Sequence, residues 1–406
     1  MPIESIRRAV AACLLLMPVL GAPLAEAETI KLGVLTDLSS TYSASSGKGA
    51  IVATQMAIDD LKPELAAAKF DVTVLSADHL GKADVGSSIV RGWFDNDGVD
   101  AIVNVPNSAV AMAVQNLTRE RKKIFLITGA ATSDLTGKAC SPYSAHWTDD
   151  AYTLASSTPI ALLNKGLDTW FFVTADYAFG HSAEAEATKV VLAHGGKIVG
   201  SVAHPVAVAD MSSFLLQAQA SHAKVIALAN GGGDTINAIK SAHDFGITQG
   251  GQALVGMGLF ITDVHTLGLG AAQGLYLTTG FYWDRTDETR AWSKRYGALM
   301  GGSMPTREHA ETYSAVRHYL QAVIAEHTTN SNKVMAKMKS TLVDDFYAPG
   351  ATLREDGRLI RPVYLAQVKT PAESKYPWDY YKIISTIKPE DAFRPLKDGG
   401  CPFIKS

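Results

Sequence analysis

Apolar and polar residues alternate along this chain in the rhythm of strands followed by helices. Short apolar runs predict buried strands, and stretches with apolar residues three or four positions apart predict helices. In the first third, strands are predicted at 30–36, 70–77, 101–105 and 123–128, and helices at 49–61, 86–96 and from 109. Strands alternating with helices of about 10 to 15 residues are typical of parallel sheets covered on both faces.

The same pattern begins again after Trp147. Strands are predicted at 170–174, 197–204, 224–229, 253–257 and 275–279, and helices at 179–194, 211–220 and 235–245. From 286 to 342 the chain is predicted to be strongly helical, and 364–368 and 381–386 form a late β pair. The fold class is therefore α/β, with two similar lobes joined by several connections. In open α/β sheets, ligands bind at the carboxyl ends of the strands.

The first 27 residues predict export from the cytoplasm. Arg7 and Arg8 precede an apolar run from Ala9 to Leu20, and Ala25-Glu26-Ala27 is a small-x-small cleavage site. This order is that of a secretory signal peptide. The apolar run is shorter than the roughly 20 residues that span a bilayer. We therefore expect a periplasmic protein that begins near Glu28.

Composition and charge exclude several classes of function. With 47% hydrophobic and 19% charged residues, the chain is an ordinary globular protein. Its net charge is −3 and its longest basic cluster is Arg119 to Lys123, which argues against nucleic acid as a partner. The histidines lack metal-site spacing, and we predict no metal and no cofactor. Ser182, in Gly-His-Ser-Ala-Glu, lacks the last glycine of a nucleophile elbow, so no enzymatic activity is predicted.

Two cysteines remain once the predicted signal has been removed, Cys140 and Cys401. In an oxidising compartment an even number favours a disulfide. The bridge would tie the C-terminal end of the chain to its middle. Two buried free thiols are the alternative.

Polar residues follow two neighbouring predicted strands. Pro106-Asn107-Ser108 comes after the third strand and Gly129-Ala130-Ala131-Thr132-Ser133 after the fourth, each directly before a helix or turn. Free N–H groups at a helix start, with a nearby hydroxyl, form a seat for a carboxylate. Helix capping by the same residues is an equally simple explanation.

These segments, taken in order, resemble the periplasmic solute-binding proteins of the leucine/isoleucine/valine-binding type, which serve ABC importers. The resemblance lies in residues 30–39, 129–132, 176–180 and 225–246. It implies two Rossmann-like, three-layer lobes with mostly parallel sheets, joined by three crossovers. The lobes would be 28–146 plus 284–360, and 147–283 plus 361–406. Hinge closure on a small ligand and delivery to permease subunits are implied as well.

The resemblance also places ligand-binding residues by position. Ser108 and Thr132, with the backbone near Ala130, would hold a carboxylate, and Asn107 lies in the same loop. Phe179 or Tyr177 would cover the ligand from the second lobe. Asp234 is a further candidate contact, with helix capping as its alternative.

The chain departs from the amino-acid binders of this family at two places. Gly231-Gly232-Gly233 stands where they carry an aromatic residue, and 256–260 is apolar where they carry an acidic one. An ammonium group buried without a carboxylate is costly, and glycine leaves room in the cleft. Aromatic residues fall in loops facing the predicted cleft: Tyr42, Trp147, Tyr177, Phe179, Phe260, Tyr282 and Trp283. We therefore predict binding of a small organic acid, specifically an aromatic carboxylate.

Two other functions remain open at this point. An amino-acid-binding protein would differ only in its ligand. A periplasmic sensor subunit would present the same closed form to a membrane receptor. In each case we expect a monomer.

Overall fold

The computed structural model describes residues 27–404 of the 406-residue chain. The predicted signal peptide lies outside the described residues except for Ala27. Two separate sheets organise the described chain, one of five strands and one of seven, with a short two-stranded ribbon besides.

The five-stranded sheet defines the first lobe, and all its strands are parallel. Its strands are β1 (Glu28–Thr36), β2 (Phe70–Asp78), β3 (Ala101–Asn104), β4 (Ile124–Ile127) and β5 (Ser144–His146), in the spatial order β2-β1-β3-β4-β5. The helices that follow in sequence are α1 (Gly47–Asp60), α2 (Lys62–Ala67), α3 (Ala83–Gly92) and α4 (Ser108–Arg121). Strands β3 and β4 are buried throughout, as expected for parallel strands covered on both faces.

The seven-stranded sheet defines the second lobe. Its strands are β6 (Thr169–Ala175), β7 (Lys197–His204), β8 (Val225–Gly231), β9 (Ala253–Gly258), β10 (Tyr276–Thr279), β13 (Val363–Val368) and β14 (Tyr381–Ile387), in the order β14-β13-β10-β9-β8-β6-β7; the ribbon is β11 (Thr352–Leu353) with β12 (Leu359–Ile360). The late β pair joins antiparallel to β10. Its helices are α5 (Ala151–Leu163), α6 (Ala178–Ala193), α7 (Ser212–Ala220), α8 (Gly233–Asp244), α9 (Ile261–Leu267) and α10 (Leu269–Ala272).

The predicted helical region after β10 returns to the first lobe. It consists of α11 (Asp287–Leu299), α12 (Arg307–Glu326) and α13 (Ser331–Ser340). Helix α12 packs against α1 of the first lobe. The residues that form an apolar stripe along α12 are buried: Ala310, Tyr313, Val316, Leu320 and Val323. A final short helix, α14 (Pro389–Ala392), follows β14.

The chain passes between the two sheets three times, at 147–150, 280–286 and 341–362. One buried carboxylate joins all three passages. Asp149 of the first accepts the Gly280 N–H of the second at 2.6 Å and pairs with Arg361 of the third at 2.7 Å. The two α/β lobes and their three connections agree with the predicted fold. The lobe boundaries given above stay a prediction.

The predicted disulfide is confirmed. Cys140 and Cys401, 261 positions apart, are bonded, with their Cα atoms 5.6 Å from each other. Both residues are buried. The bond ties the segment after β14, which follows the second sheet, to the first lobe.

Candidate ligand-binding site

A narrow cavity lies between the carboxyl edges of the two sheets. It is lined by Tyr42, Pro106, Ser108, Gly129, Ala131, Tyr177, Phe179, Gly231, Gly258, Phe260, Arg307 and Glu308. They come from the loops after β1, β3, β4, β6 and β9, from the last residues of β8 and β9, and from the first turns of α4, α6 and α12. Both lobes therefore form the walls, at the place where open α/β sheets bind ligands.

The loop after β3 enters the cavity through an unusual backbone. Asn104 and Val105 have φ angles of 80° and 62°, in the left-handed region that a β-branched residue such as valine rarely adopts. Asn104 is held there by Ser46 Oγ, which donates to its Oδ1 at 2.7 Å, and by its own Nδ2, which donates to Thr128 Oγ1 at 3.1 Å. Such strained conformations cluster at binding sites because the surrounding contacts enforce them. Here the result is that Pro106 and Ser108 face the cavity.

Helix capping and ligand binding were both considered for this loop, and the structure assigns capping to Asn107 and a position in the cavity wall to Ser108. Asn107 Oδ1 accepts the N–H groups of Ala109 and Val110 at 3.0 and 3.1 Å, so it caps α4 and does not line the cavity. Ser108 lines the cavity, and its Oγ accepts the Thr132 N–H at 3.3 Å. The Ser108 hydroxyl hydrogen therefore remains available to a ligand.

The loop after β4 contributes Gly129 and Ala131 to the cavity wall. Ala131 lines the cavity, whereas the neighbouring Ala130 uses its carbonyl oxygen to pair with His146 Nε2 at 2.7 Å. Thr132 caps the short 3₁₀ turn that follows and is buried beside Ser108 without lining the cavity. The structure thus brings Ser108 and Thr132 together, but only Ser108 lines the cavity.

Tyr177 and Phe179 both line the cavity from the second lobe, with ring centroids 6.1 Å apart in an edge-to-face arrangement. The Tyr177 hydroxyl hydrogen-bonds to the hydroxyl of Tyr42 in the first lobe. Burial raises the pKa of both tyrosines, so both hydroxyl groups are neutral. This bond closes the cavity from one side.

Trp147 and Asp234 lie outside the cavity wall. Trp147 is fully buried and donates through Nε1 to Ser314 Oγ at 3.0 Å. The Asp234 carboxylate accepts the N–H groups of Ala207 and Val208 at 3.1 and 2.9 Å, which fixes the loop before α7. Neither residue is among those that face the cavity.

Phe260 lines the cavity, and the guanidinium of Arg307 lies 4.2 Å from the centre of its ring. Both residues also line a neighbouring cavity, together with Tyr282 and Trp283. Arg307 donates through Nη1 to the Leu259 carbonyl at 3.4 Å, and its Nε lies 3.8 Å from Asp149 Oδ2. A buried cation with a distant counter-ion favours an anionic ligand.

Glu308 places a carboxyl group in the same wall. It is 1% exposed, and within residues 27–404 its Oε2 has no hydrogen-bond partner. Burial raises the pKa of Glu308 well above its usual value, although Arg307 and the nearby Ser46 side chain act in the other direction. The cleft therefore has an acidic group, which the apolar stretch 256–260 had led us not to expect.

Arg307 and Glu308 were missed because sequence reasoning followed strand ends, and these two residues begin a helix. One signal was present in the sequence. Arg307 stands three positions before Ala310 and thus continues the apolar stripe of α12. A charged residue on a buried stripe indicates a specific partner.

The glycine loop after β8 does not provide the extra room that was expected. A Cβ on Gly231 would lie 3.1 Å from Tyr42 Cε1, and one on Gly232 would lie 2.2 Å from the Thr41 carbonyl oxygen. The Gly233 N–H donates to that same oxygen at 3.2 Å. Tyr42 and Thr41 of the first lobe fill the space, so these glycines permit close approach of the lobes.

Within the described residues, no group of three or more His, Cys, Asp or Glu side chains is placed to hold a metal ion. Over the same part of the chain, no helix has both the length and the apolar character required to cross a membrane.

Comparison with known proteins gives consistent results. A family model described as periplasmic binding protein matches residues 29–375. A Leu/Ile/Val-binding protein homologue from Brucella melitensis is 28% identical over 269 residues, covering 65% of this chain and 67% of the relative.

Solved structures extend the similarity to nearly the whole chain. A periplasmic binding protein from Burkholderia mallei is 44% identical with a TM-score of 0.89, covering 93% of this chain and 100% of that one. A protein from Burkholderia xenovorans, described as a branched chain amino acid ABC transporter periplasmic ligand-binding protein, is 43% identical with a TM-score of 0.82, covering 92% and 99%. A solute-binding protein from R. palustris in complex with 4-hydroxybenzoate, 21% identical with a TM-score of 0.80 and covering 89% and 98%, shares the fold.

The matching relatives are substrate-binding proteins of ABC transporters and not enzymes. Together with the two-lobed fold and the cavity between the lobes, they agree with the resemblance found in the sequence. This chain belongs to the periplasmic binding protein family.

Proposed function

We propose that this protein is the periplasmic solute-binding component of an ABC importer and captures a small aromatic carboxylate by hinge closure. The observation that carries this proposal is the composition of the cavity. It combines the Ser108 hydroxyl and the Arg307 guanidinium with the rings of Phe179 and Phe260.

An anionic ligand is supported by two positive features. Ser108 is the first residue of α4, a 14-residue helix whose N-terminal end carries partial positive charge. Arg307 is 4% exposed, and its Nε, 3.8 Å from Asp149 Oδ2, has no hydrogen-bond partner among the described residues. A carboxylate in this cavity would receive a hydroxyl hydrogen bond and lie within the field of a buried cation.

An aromatic ligand is supported by the rings that face the cavity. Phe179, Phe260, Tyr42 and Tyr177 all line it. Aromatic side chains prefer offset-stacked or edge-to-face contacts with other rings. A flat aromatic acid would make such contacts with both lobes at once.

Hinge closure is supported by contacts that join the lobes. The Tyr42–Tyr177 bond, the Gly233 N–H to Thr41 contact and the Ser133 N–H to Ser182 Oγ bond of 3.2 Å all cross the cleft. A ligand that touches both walls binds the closed form more tightly and shifts the population toward it. In this proposal the closed monomer is the form presented to the permease.

A branched-chain or other amino acid is the second candidate, and one observation favours it. Glu308 offers a carboxyl group with a free oxygen in the cavity wall, which an α-ammonium group could meet. The Burkholderia xenovorans relative is described as a branched chain amino acid binder.

Thermal unfolding of the refolded protein, freed of any ligand it carries, tests the proposal. Aromatic carboxylates, branched-chain amino acids and aliphatic acids are added separately. A ligand at a hundred times its Kd stabilises the folded state by about 2.7 kcal/mol, which raises the midpoint by roughly 5–11 °C for domains of 150–250 residues. Stabilisation by amino acids alone would contradict the aromatic assignment. Loss of uptake of the same acid on gene deletion tests the importer role.

A further inference from the structure

Glu308 carries the one side-chain acceptor of the cavity wall that is both buried and without a partner among the described residues, and Arg307 Nε is an unpaired donor in the same wall. The Glu308 side chain lines the cavity, and its Oε2 makes no hydrogen bond. A buried acceptor left unpaired destabilises the protein, because it has lost its water and gained nothing in return. Because this unpaired oxygen lies at the wall of a ligand cavity, we expect the ligand to supply its hydrogen-bond partner.

Most of the neighbouring polar groups have partners elsewhere, and Arg307 Nε is the exception among the described residues. The hydroxyls of Tyr42 and Tyr177 bond to each other. Arg307 lies over the Phe260 ring and donates to the Leu259 carbonyl. Two other acids act on Glu308 electrostatically, Glu311 one turn along α12 and Asp263 from the second lobe.

We propose that Glu308 determines the specificity of this cleft: its Oε2 hydrogen-bonds to a hydroxyl group of the ligand, so that hydroxylated aromatic acids are preferred to unsubstituted ones. This inference rests on the proposed function, since it requires an aromatic carboxylate in the cavity.

A hydroxyl group suits this position better than an ammonium group. Arg307 lines the same cavity, and its charge repels a second cation. Burial raises the pKa of Glu308, which favours the protonated carboxyl. A protonated carboxyl both donates to and accepts from a hydroxyl group, whereas an ammonium group would require Glu308 to ionise.

A ligand without the hydroxyl group leaves the buried Oε2 unpaired. Sites with a buried polar group discriminate strongly against ligands that cannot pair with it. We expect a preference of about tenfold to a hundredfold in Kd, which corresponds to the loss of one buried hydrogen bond.

Isothermal titration calorimetry with benzoate, 3-hydroxybenzoate and 4-hydroxybenzoate provides the test. The wild-type protein should bind at least one hydroxylated acid more tightly than benzoate by the stated factor. Glu308→Leu should bring this ratio close to one, and Glu308→Gln should keep most of it because an amide also donates and accepts. Glu326→Gln, at an exposed position of the same helix, is the control and should leave the ratio unchanged.

Equal affinity of the wild-type protein for all three acids, or an unchanged ratio in Glu308→Leu, would overturn the role of Glu308. Failure of the wild-type protein to bind any aromatic acid would instead overturn the proposed function. If Glu308→Leu does not fold, titration of the wild-type protein in buffers of different ionisation enthalpy decides. We expect no proton release with the hydroxylated acid, and release of one proton per ligand would show that Glu308 ionises and refute the proposal.

Discussion

Tyr42 and Tyr177 hydrogen-bond to each other through their hydroxyl groups across the cleft between the lobes. Tyr42 follows β1 of the first sheet, and Tyr177 follows β6 of the second. Both residues line the ligand cavity. Because the two hydroxyls belong to different lobes, their bond exists only when the cleft is closed. It therefore links ligand capture to the conformation of the protein.

Replacing either tyrosine with phenylalanine should weaken ligand binding by about fivefold to tenfold. The change removes one buried hydrogen bond of the closed form, worth about 1 kcal/mol. The double variant should lose less than the sum of the two single losses, because each single change leaves the other hydroxyl unpaired. Calorimetric Kd values for the four proteins measure this coupling.

Tyr143→Phe serves as the matched control for the tyrosine variants. The Tyr143 hydroxyl also makes a side-chain bond, to Asn332 at 3.1 Å, but at an exposed position. Its loss should leave Kd unchanged. Strictly additive losses in the Tyr42 and Tyr177 variants would show that the bond does not contribute to closure.

Gly232→Ala should prevent full closure. Its φ is 59°, and an added Cβ would lie 2.2 Å from the Thr41 carbonyl oxygen of the other lobe. The clash exists only in the closed form, so we expect Kd to rise by at least about tenfold, a cost of about 1.4 kcal/mol or more on closure. Small-angle scattering with saturating ligand should show a more open protein than the wild type.

Gly246→Ala separates the clash from the backbone effect. Gly246 has a similar φ of 65°, and an added Cβ would meet only the end of the Gln249 side chain at 3.9 Å. Both alanine variants should lose comparable stability from the left-handed backbone, about 1 kcal/mol or more. Equal loss of affinity in both would contradict the steric explanation.

The fold could be predicted because short stretches of sequence identify most of its strands and helices. Continuous apolar runs such as 124–127 identify strands buried on both faces, and alternation with helices implies parallel order. The helix Ala151–Leu163 was missed, since it contains Pro159 and has apolar residues on several faces, so it lacks a clear helical period.

The site was predicted only in part because it depends on distant segments. Ser108, Tyr177, Phe179, Phe260 and Tyr42 follow strands, and they do line the cavity. Residue-type preferences could not separate Asn107, a cap, from Ser108 beside it. Nor could the sequence reveal that Glu308, some 50 positions after Gly258, reaches the same wall, since this follows from packing of α12 on the first lobe.

Removing the disulfide should lower the free energy of unfolding by about 3–5 kcal/mol. A bond that closes a loop of 261 positions strongly restricts the unfolded chain. The double variant Cys140→Ser with Cys401→Ser should show this loss in urea unfolding. Its ligand affinity should be unchanged, because neither cysteine lines the cavity. If the variant is as stable as the wild type, the bridge does not measurably reduce the conformational entropy of the unfolded chain.

Asp263 should make the protein less stable as pH rises from 6.5 to 8. It is 1% exposed, and burial raises its pKa to about 8. In the unfolded chain its pKa is about 3.9, so between these values the folded state binds more protons than the unfolded state. The stabilisation is therefore complete at low pH and is lost as pH rises, by about 1.4 kcal/mol per pH unit. The buried histidines act in the opposite direction in the lower part of this window: burial lowers the pKa of His146 to about 3 and that of His309 to about 4, so only the unfolded state binds their protons near pH 6.5.

Asp263→Asn isolates this effect. The Asp263 carboxyl accepts the Phe260 N–H at 2.9 Å, and an amide oxygen preserves that bond without a titrating proton. Between pH 6.5 and 8 the wild type should lose about 2 kcal/mol more unfolding free energy than the variant in urea titrations. Asp244→Asn, at an exposed position, should behave like the wild type. If wild type and Asp263→Asn lose stability in parallel, Asp263 is already ionised at neutral pH, and the nearby Arg307 outweighs its burial.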